Sequence, residues 1–323
     1  MKLLKKVKLH HLFFALLFIY PIIVHDQTYY LYSGGLIFIY IIMTLALNIL
    51  TGYGGQISIG QSAFMAIGAY TSTICTLKLG IPFLIAVPLS GFLTALIGFI
   101  IGLPAVKLSG HLLAVATLGF GLAVPELILK WDDVTGGFTG LFPDKPVVFG
   151  FAFDSDFKIY FLLLIMTLIV TWMINNLIKG RIGRAFVAIR ESEISAAAAG
   201  INVPLYKVLM FSISGFYTGI AGSLYAHFVG FISPFDFNLN VSLILLAMVV
   251  IGGVASIPGS YLGAILLAMI PPLTSGLPGF MLILTGVPLV LIILFLPNGL
   301  ISLGKKWGAR QSAANATKRG ETA

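Results

Sequence analysis

Residues Leu36–Tyr70 read LIFIYIIMTLALNILTGYGGQISIGQSAFMAIGAY, thirty-five positions without one charged side chain. The first part, Leu36–Leu50, is a continuous apolar run, and Leu12–Val24, Phe161–Ile174 and Met281–Leu296 repeat it along the chain. About 20 such residues carry a helix across the hydrocarbon core of a bilayer. Backbone in lipid must close its own hydrogen bonds, in helices or in a closed barrel, and these runs lack the alternation of barrel strands. The expected fold is all-α, a polytopic transmembrane bundle of about eight to ten spans, some of them broken or re-entrant.

Composition points the same way. The chain has 323 residues, 59% hydrophobic and 9% charged, with a mean hydropathy of +1.05. Soluble domains carry about 25% charged residues, which excludes a water-soluble globule. The net charge of +8 does not indicate nucleic acid, because the charges cluster beside span ends. Lys2, Lys5, Lys6 and Lys8 precede the first run; Lys179, Arg181, Arg184, Arg190 and Lys207 fill a central break; Lys305, Lys306, Arg310, Lys318 and Arg319 lie in the tail. That is the positive-inside pattern, so both termini and the central break are expected to be cytoplasmic. Cys75 alone can form no internal disulfide and reads as a small apolar residue of a span.

Spans are expected near 12–24, 31–50, 57–77, 82–103, 111–130, 159–178, 204–227, 240–255, 259–276 and 279–296. The first is an uncleaved span rather than a leader, since no A-x-A site follows it. Those near 57–77 and 111–130 are rich in Gly, Ser and Thr and are the candidates for broken helices. This divides the chain into a permease domain, 1–303, with a cytoplasmic coupling loop at about 179–207, and a polar tail, 304–323, expected to be mobile. The connection 131–158, with its acids, glycines and prolines, reads as turns on the outer face. Segments 54–62 (GGQISIGQS) and 252–260 (GGVASIPGS) share Gly-Gly, two residues, Ser-Ile, two residues and Ser, either the trace of an internal repeat or coincidence in a Gly-rich chain.

Two groups of residues carry functional expectations. Neutral polar side chains within spans, Gln56, Ser58, Gln61, Ser62 and Thr117, are candidates for a translocation pathway. On one continuous helix Ser58, Ser62 and the nearby Gln61 share a face, and neutral groups offer hydrogen bonds without holding cargo tightly. The competing reading is interhelical glue, as for the GxxxG pairs Gly98/Gly102, Gly215/Gly219 and Gly259/Gly263. The glutamines favour a route more than the serines do, because large amides are costly to hide. In the central break Arg184, Ile189, Arg190, Glu191 and Glu193 lie among helix formers that stop at Gly200, which suits a short helix on the cytoplasmic face or a charged loop that fixes topology.

No GxxxxGK[ST] P-loop occurs, so any ATPase is a separate chain, and no cofactor or metal is expected. Ionisable residues within spans are scarce, which argues against a stand-alone secondary transporter coupled to protons. An intramembrane enzyme would need paired acids or a metal cluster in a cavity, whereas Asp132 and Asp133 fall in the outer connection.

The block Gly52–Tyr70 resembles the signature of the branched-chain amino acid ABC permeases of LivM type. The resemblance continues through SGHLLAVATLGFG at 109–121, TGGFTGL at 135–141, GRAFVAIRESEISAAAAGINVPLYK at 183–207, SPFDF at 233–237, VVIGGVASIPGSYLGA at 249–264 and LFLPNGL at 294–300. It departs at Leu122–Glu126, where an acidic-then-basic pair is usual, and Glu193 to Gly200 is one residue longer than the usual EAA-type spacing. It implies a bacterial inner-membrane permease subunit that translocates leucine, isoleucine and valine. The implied partners are a homologous LivH-type permease, two cytoplasmic ATP-binding subunits and an extracytoplasmic substrate-binding protein. Permeases for urea or short amides share these motifs, and the sequence separates the two poorly.

Overall fold

The structure is a computed structural model, and it describes residues 20–21, 28–108, 110–270 and 299–301. The expected spans near 12–24 and 279–296 and the tail 304–323 lie outside the described residues, apart from positions 20–21.

The described chain is mostly helical. α1 (Thr28–Leu47) runs into a π-helical turn, Asn48–Tyr53; α2 is Gln61–Leu77, α3 Phe83–Ala105 and α4 His111–Lys130. A one-turn α5 (Asp132–Thr135) and a hairpin, β1 (Val147–Val148) with β2 (Phe151–Ala152), precede α6 (Asp156–Lys179). Then come α7 (Arg181–Glu191), α8 (Glu193–Ala198), α9 (Val203–Val229), α10 (Leu239–Gly252) and α11 (Ile257–Ala268).

Among the described residues five helical stretches are long and apolar enough to cross a membrane, Tyr29–Tyr53, α3, α4, α6 and α9, and α10 and α11 are shorter apolar helices. The expected span at 57–77 is shortened at its start: residues 54–60 are not helical, and α2 runs unbroken only from Gln61. The 111–130 span is instead one continuous helix of 20 residues that accommodates Pro125. A proline is tolerated there because packing and local adjustment in a membrane bundle re-satisfy the freed carbonyl. Residues 131–158 form turns and the small hairpin, whose tip places Phe149 and Gly150 at positive φ, as a tight two-residue hairpin turn requires.

α9 is the axis of the bundle and packs chiefly on α3 and α2, then on α1. Backbones approach closely along it. A Cβ on Gly68 would lie 2.4 Å from the Gly219 carbonyl oxygen, and one on Gly98 would lie 2.5 Å from that of Phe211. Small residues let membrane helices meet in this way, so Gly98, Gly215 and Gly219 fill the packing role expected of the GxxxG pairs. Gly259 and Gly263 do the same between α10 and α11.

Candidate functional site

Two regions bear the functional expectations: the break before α2 and the pair α7–α8 at the basic end.

The break begins where the π-turn ends. Gly55 takes φ +68° and turns the chain back, Thr51 donates to the Gln56 carbonyl at 3.1 Å, and Thr117 of α4 accepts from the Ile59 amide at 3.0 Å. Ser58 therefore precedes the helix and does not share its face with Ser62, because the glycines on either side end helical geometry before Gln61. All five route candidates are buried: Gln56, Ser58, Gln61, Ser62 and Thr117 expose 6% or less.

Their partners differ. Ser62 and Ser242 bind reciprocally, hydroxyl to hydroxyl at 2.8 Å and Ser62 amide to Ser242 hydroxyl at 2.9 Å, which ties α2 to α10. Thr117 donates to Ala114 within its own helix. Gln61 is clamped by α9, with its amide nitrogen donating to Ser214 at 3.2 Å and also to Thr218. Those hydroxyls hand their own protons to carbonyls, Ser214 to Ala46 at 2.9 Å and Thr218 to Ser214 at 2.8 Å. They can only accept from the amide, which fixes its orientation. Both amide hydrogens are then used, and among the described residues neither the Gln61 Oε1 nor the Gln56 Oε1 has a donor. A buried acceptor left unmade costs about 1–3 kcal/mol. The buried Tyr70 and Thr73 hydroxyls further along α2 are likewise unmatched among the described residues.

At the basic end the expected single helix is two, because Ser192 adopts an extended conformation and caps α8 by accepting from the Ser195 amide at 3.2 Å. Gly200 takes φ +83° just past α8, the left-handed stop its residue type allows. Arg184, Arg190, Glu191 and Glu193 are exposed, whereas Ile189 is buried with Phe186 on the inner face of α7. The apolar side chain that does project is Ile194 of α8, 85% exposed. Arg190 also lies against the break before α2: a Cβ on Gly55 would be 3.1 Å from its Cγ.

The structure gives specific partners to four positions that were assigned no site role from the sequence. Asn48 lies inside the apolar run of α1 and the π-turn, an unusual place for an amide. It bonds Ser256, Ser260 and Ala255. Thr218, one turn beyond Ser214, completes the glutamine clamp. Lys207 pairs with Glu193 at 2.6 Å, and His227 joins Ser72 at 3.1 Å and the Asp144 carbonyl at 2.8 Å, which pins the 131–158 connection to the bundle. Each was visible as a polar residue in an apolar stretch, but nothing in the sequence named its partner.

No group of three His, Cys, Asp or Glu side chains among the described residues is placed to hold a metal. The geometry defines a multi-pass helical membrane protein, interrupted by a glycine-rich break before α2 and carrying an exposed amphipathic pair at its basic end. The family of permease components of branched-chain amino acid transport systems matches residues 29–296, and the chain belongs to it. The LivM high-affinity branched-chain amino acid permease of Salmonella typhimurium is 34% identical over 82% of this chain and 68% of its own length. LivM of Escherichia coli is 33% identical over 88% of this chain and 72% of its own length. LivH of Escherichia coli, also a branched-chain amino acid permease, is 29% identical over 38% of this chain and 40% of its own length. No solved structure matches. Members of this family are permease components, not enzymes.

Proposed function

We propose that the chain forms one half of the membrane route of an ATP-driven importer for leucine, isoleucine and valine. Its partners in this reading are a LivH-type permease, two ATP-binding subunits and an extracytoplasmic binding protein. The agreement with LivM permeases along most of the chain is the observation that carries it. The basic end is then cytoplasmic, with α7–α8 as the contact for an ATPase subunit, Ile194 as its apolar knob and Arg184, Arg190 and Glu191 as its charged rim. Gln56 and Gln61 line the point where cargo passes, offering amide oxygens to an ammonium group, while Ser58, Ser62 and Thr117 hold the break in shape.

The test is uptake of labelled leucine by a strain lacking its own branched-chain transporters, with the chain expressed beside its four partner chains. Excess isoleucine and valine should suppress uptake and excess urea should not. Suppression by urea or acetamide would move the assignment to an amide permease.

A further inference from the structure

Lys207 lies in the first turns of α9 with only 3% of its side chain exposed, and its Nζ meets the Glu193 Oε1 at 2.6 Å; the Glu193 side chain is 48% exposed. An ammonium taken out of water costs several kcal/mol unless it is paired. Lys207 is therefore comfortable only while α8 stays on α9. Besides this bond, α8 buries one residue, Ala196. The same face of α9 continues inward: Ser214 and Thr218 follow Lys207 at intervals of seven and four, about two turns and one turn further along the helix. Those are the hydroxyls that clamp Gln61.

We propose that the Glu193–Lys207 ion pair is the latch that makes α9 follow α7–α8, so that movement at the basic end reaches the hydroxyls holding Gln61. Lys207 acts as a positioning residue and touches neither nucleotide nor cargo. The latch rests on the reading of α7–α8 as the ATPase contact. It adds to that reading the element that moves and the bond that drags it. Contiguity alone does not establish coupling; the demonstration required is that breaking the bond separates the two activities.

The experiment uses the complete transporter in proteoliposomes, with ATP hydrolysis and leucine uptake measured on one preparation. Glu193→Gln and Lys207→Met should each leave binding-protein-stimulated hydrolysis within about twofold while uptake falls about tenfold, raising the ATP spent per leucine. Lys207→Met removes the buried charge itself, so an unpaired ammonium cannot explain its defect. The reversed pair Glu193→Lys with Lys207→Glu should recover most of the uptake. A normal ratio in both single variants, loss of hydrolysis and uptake in step, or no recovery in the reversed pair overturns the latch. A Val187→Cys reporter in a Cys75→Ala background, crosslinked to the ATPase subunit, tests the underlying reading separately. Crosslinking retained in an uncoupled Glu193→Gln complex supports both, while its absence from the otherwise unaltered complex refutes the docking reading and the latch built on it.

Discussion

Segments 54–62 and 252–260 use one pattern in the same way, each leaving a helix through Gly-Gly and entering the next within a few residues. Gly55 and Gly253 both take positive φ, +68° and +128°. Their polar groups differ. In the second segment Ser256 accepts from the Gly259 amide at 3.2 Å, and Ser260 donates to the Ser256 carbonyl at 3.2 Å and receives Asn48 at 2.7 Å. In the first, Gln56 and Gln61 stand where the second has Val254 and Gly259, and both amide oxygens are buried without a donor among the described residues. The second re-entry has no amide side chain of its own and is held instead by Asn48 from the π-turn. In the function proposed above the glutamines serve the route in the first segment, while the second packs without counterparts to them.

The largest expected effect lies in the packing segment. A Cβ on Gly252 would sit 2.0 Å from the Gly259 carbonyl oxygen, a backbone atom that cannot step aside. Gly252→Ala should cut the yield of assembled complex after detergent extraction to about a tenth or less. Full yield would mean that the second re-entry is looser than described here.

Asn48 joins the two halves of the comparison, since it sits just before the first break and bonds the second. Asn48→Leu leaves the Ala255 amide without its acceptor and should lower stability by about 1–3 kcal/mol, read as a lower midpoint temperature of the solubilised complex. Ala255 already holds φ +56°, which its Cβ disfavours, so this bond also maintains a strained turn.

The smallest effects separate the serines. Ser256 caps α11, so Ser256→Ala should cost about 1 kcal/mol. Ser58 reaches the Gly60 amide only at 3.4 Å, and Ser58→Ala should stay within about 0.5 kcal/mol. The reverse order in thermal melts would assign the tighter turn to the first segment.

Much of this was legible from residue types. The apolar runs gave the helices, the glycines before Gln61 gave the break, and Gly200 gave the stop. The GxxxG pairs gave the close approaches because a missing side chain signals contact without naming its partner. Partners at long sequence separation were not legible. Gln61 with Thr218, Asn48 with Ser260 and Ser62 with Ser242 join residues more than 150 positions apart, and nothing local selects among the many serines and threonines available. How the apolar side chains of α7–α8 divide was not legible for a related reason. Ile189 packs inward with Phe186, and Ser192 starts a second helix that presents Ile194.

The most direct test of the account is leucine uptake by the complete transporter carrying Gln56→Leu together with Gln61→Leu. Removing the Gln61 amide leaves Ser214 and Thr218 still donating to their carbonyls and deletes two unmet acceptors, so complex yield and melting midpoint should hold near wild type. Uptake should nevertheless fall about tenfold or more, equally for leucine, isoleucine and valine, because the route loses its acceptors while the binding protein keeps its selectivity. Wild-type uptake by this double variant would show that both glutamines are packing residues and that cargo crosses elsewhere.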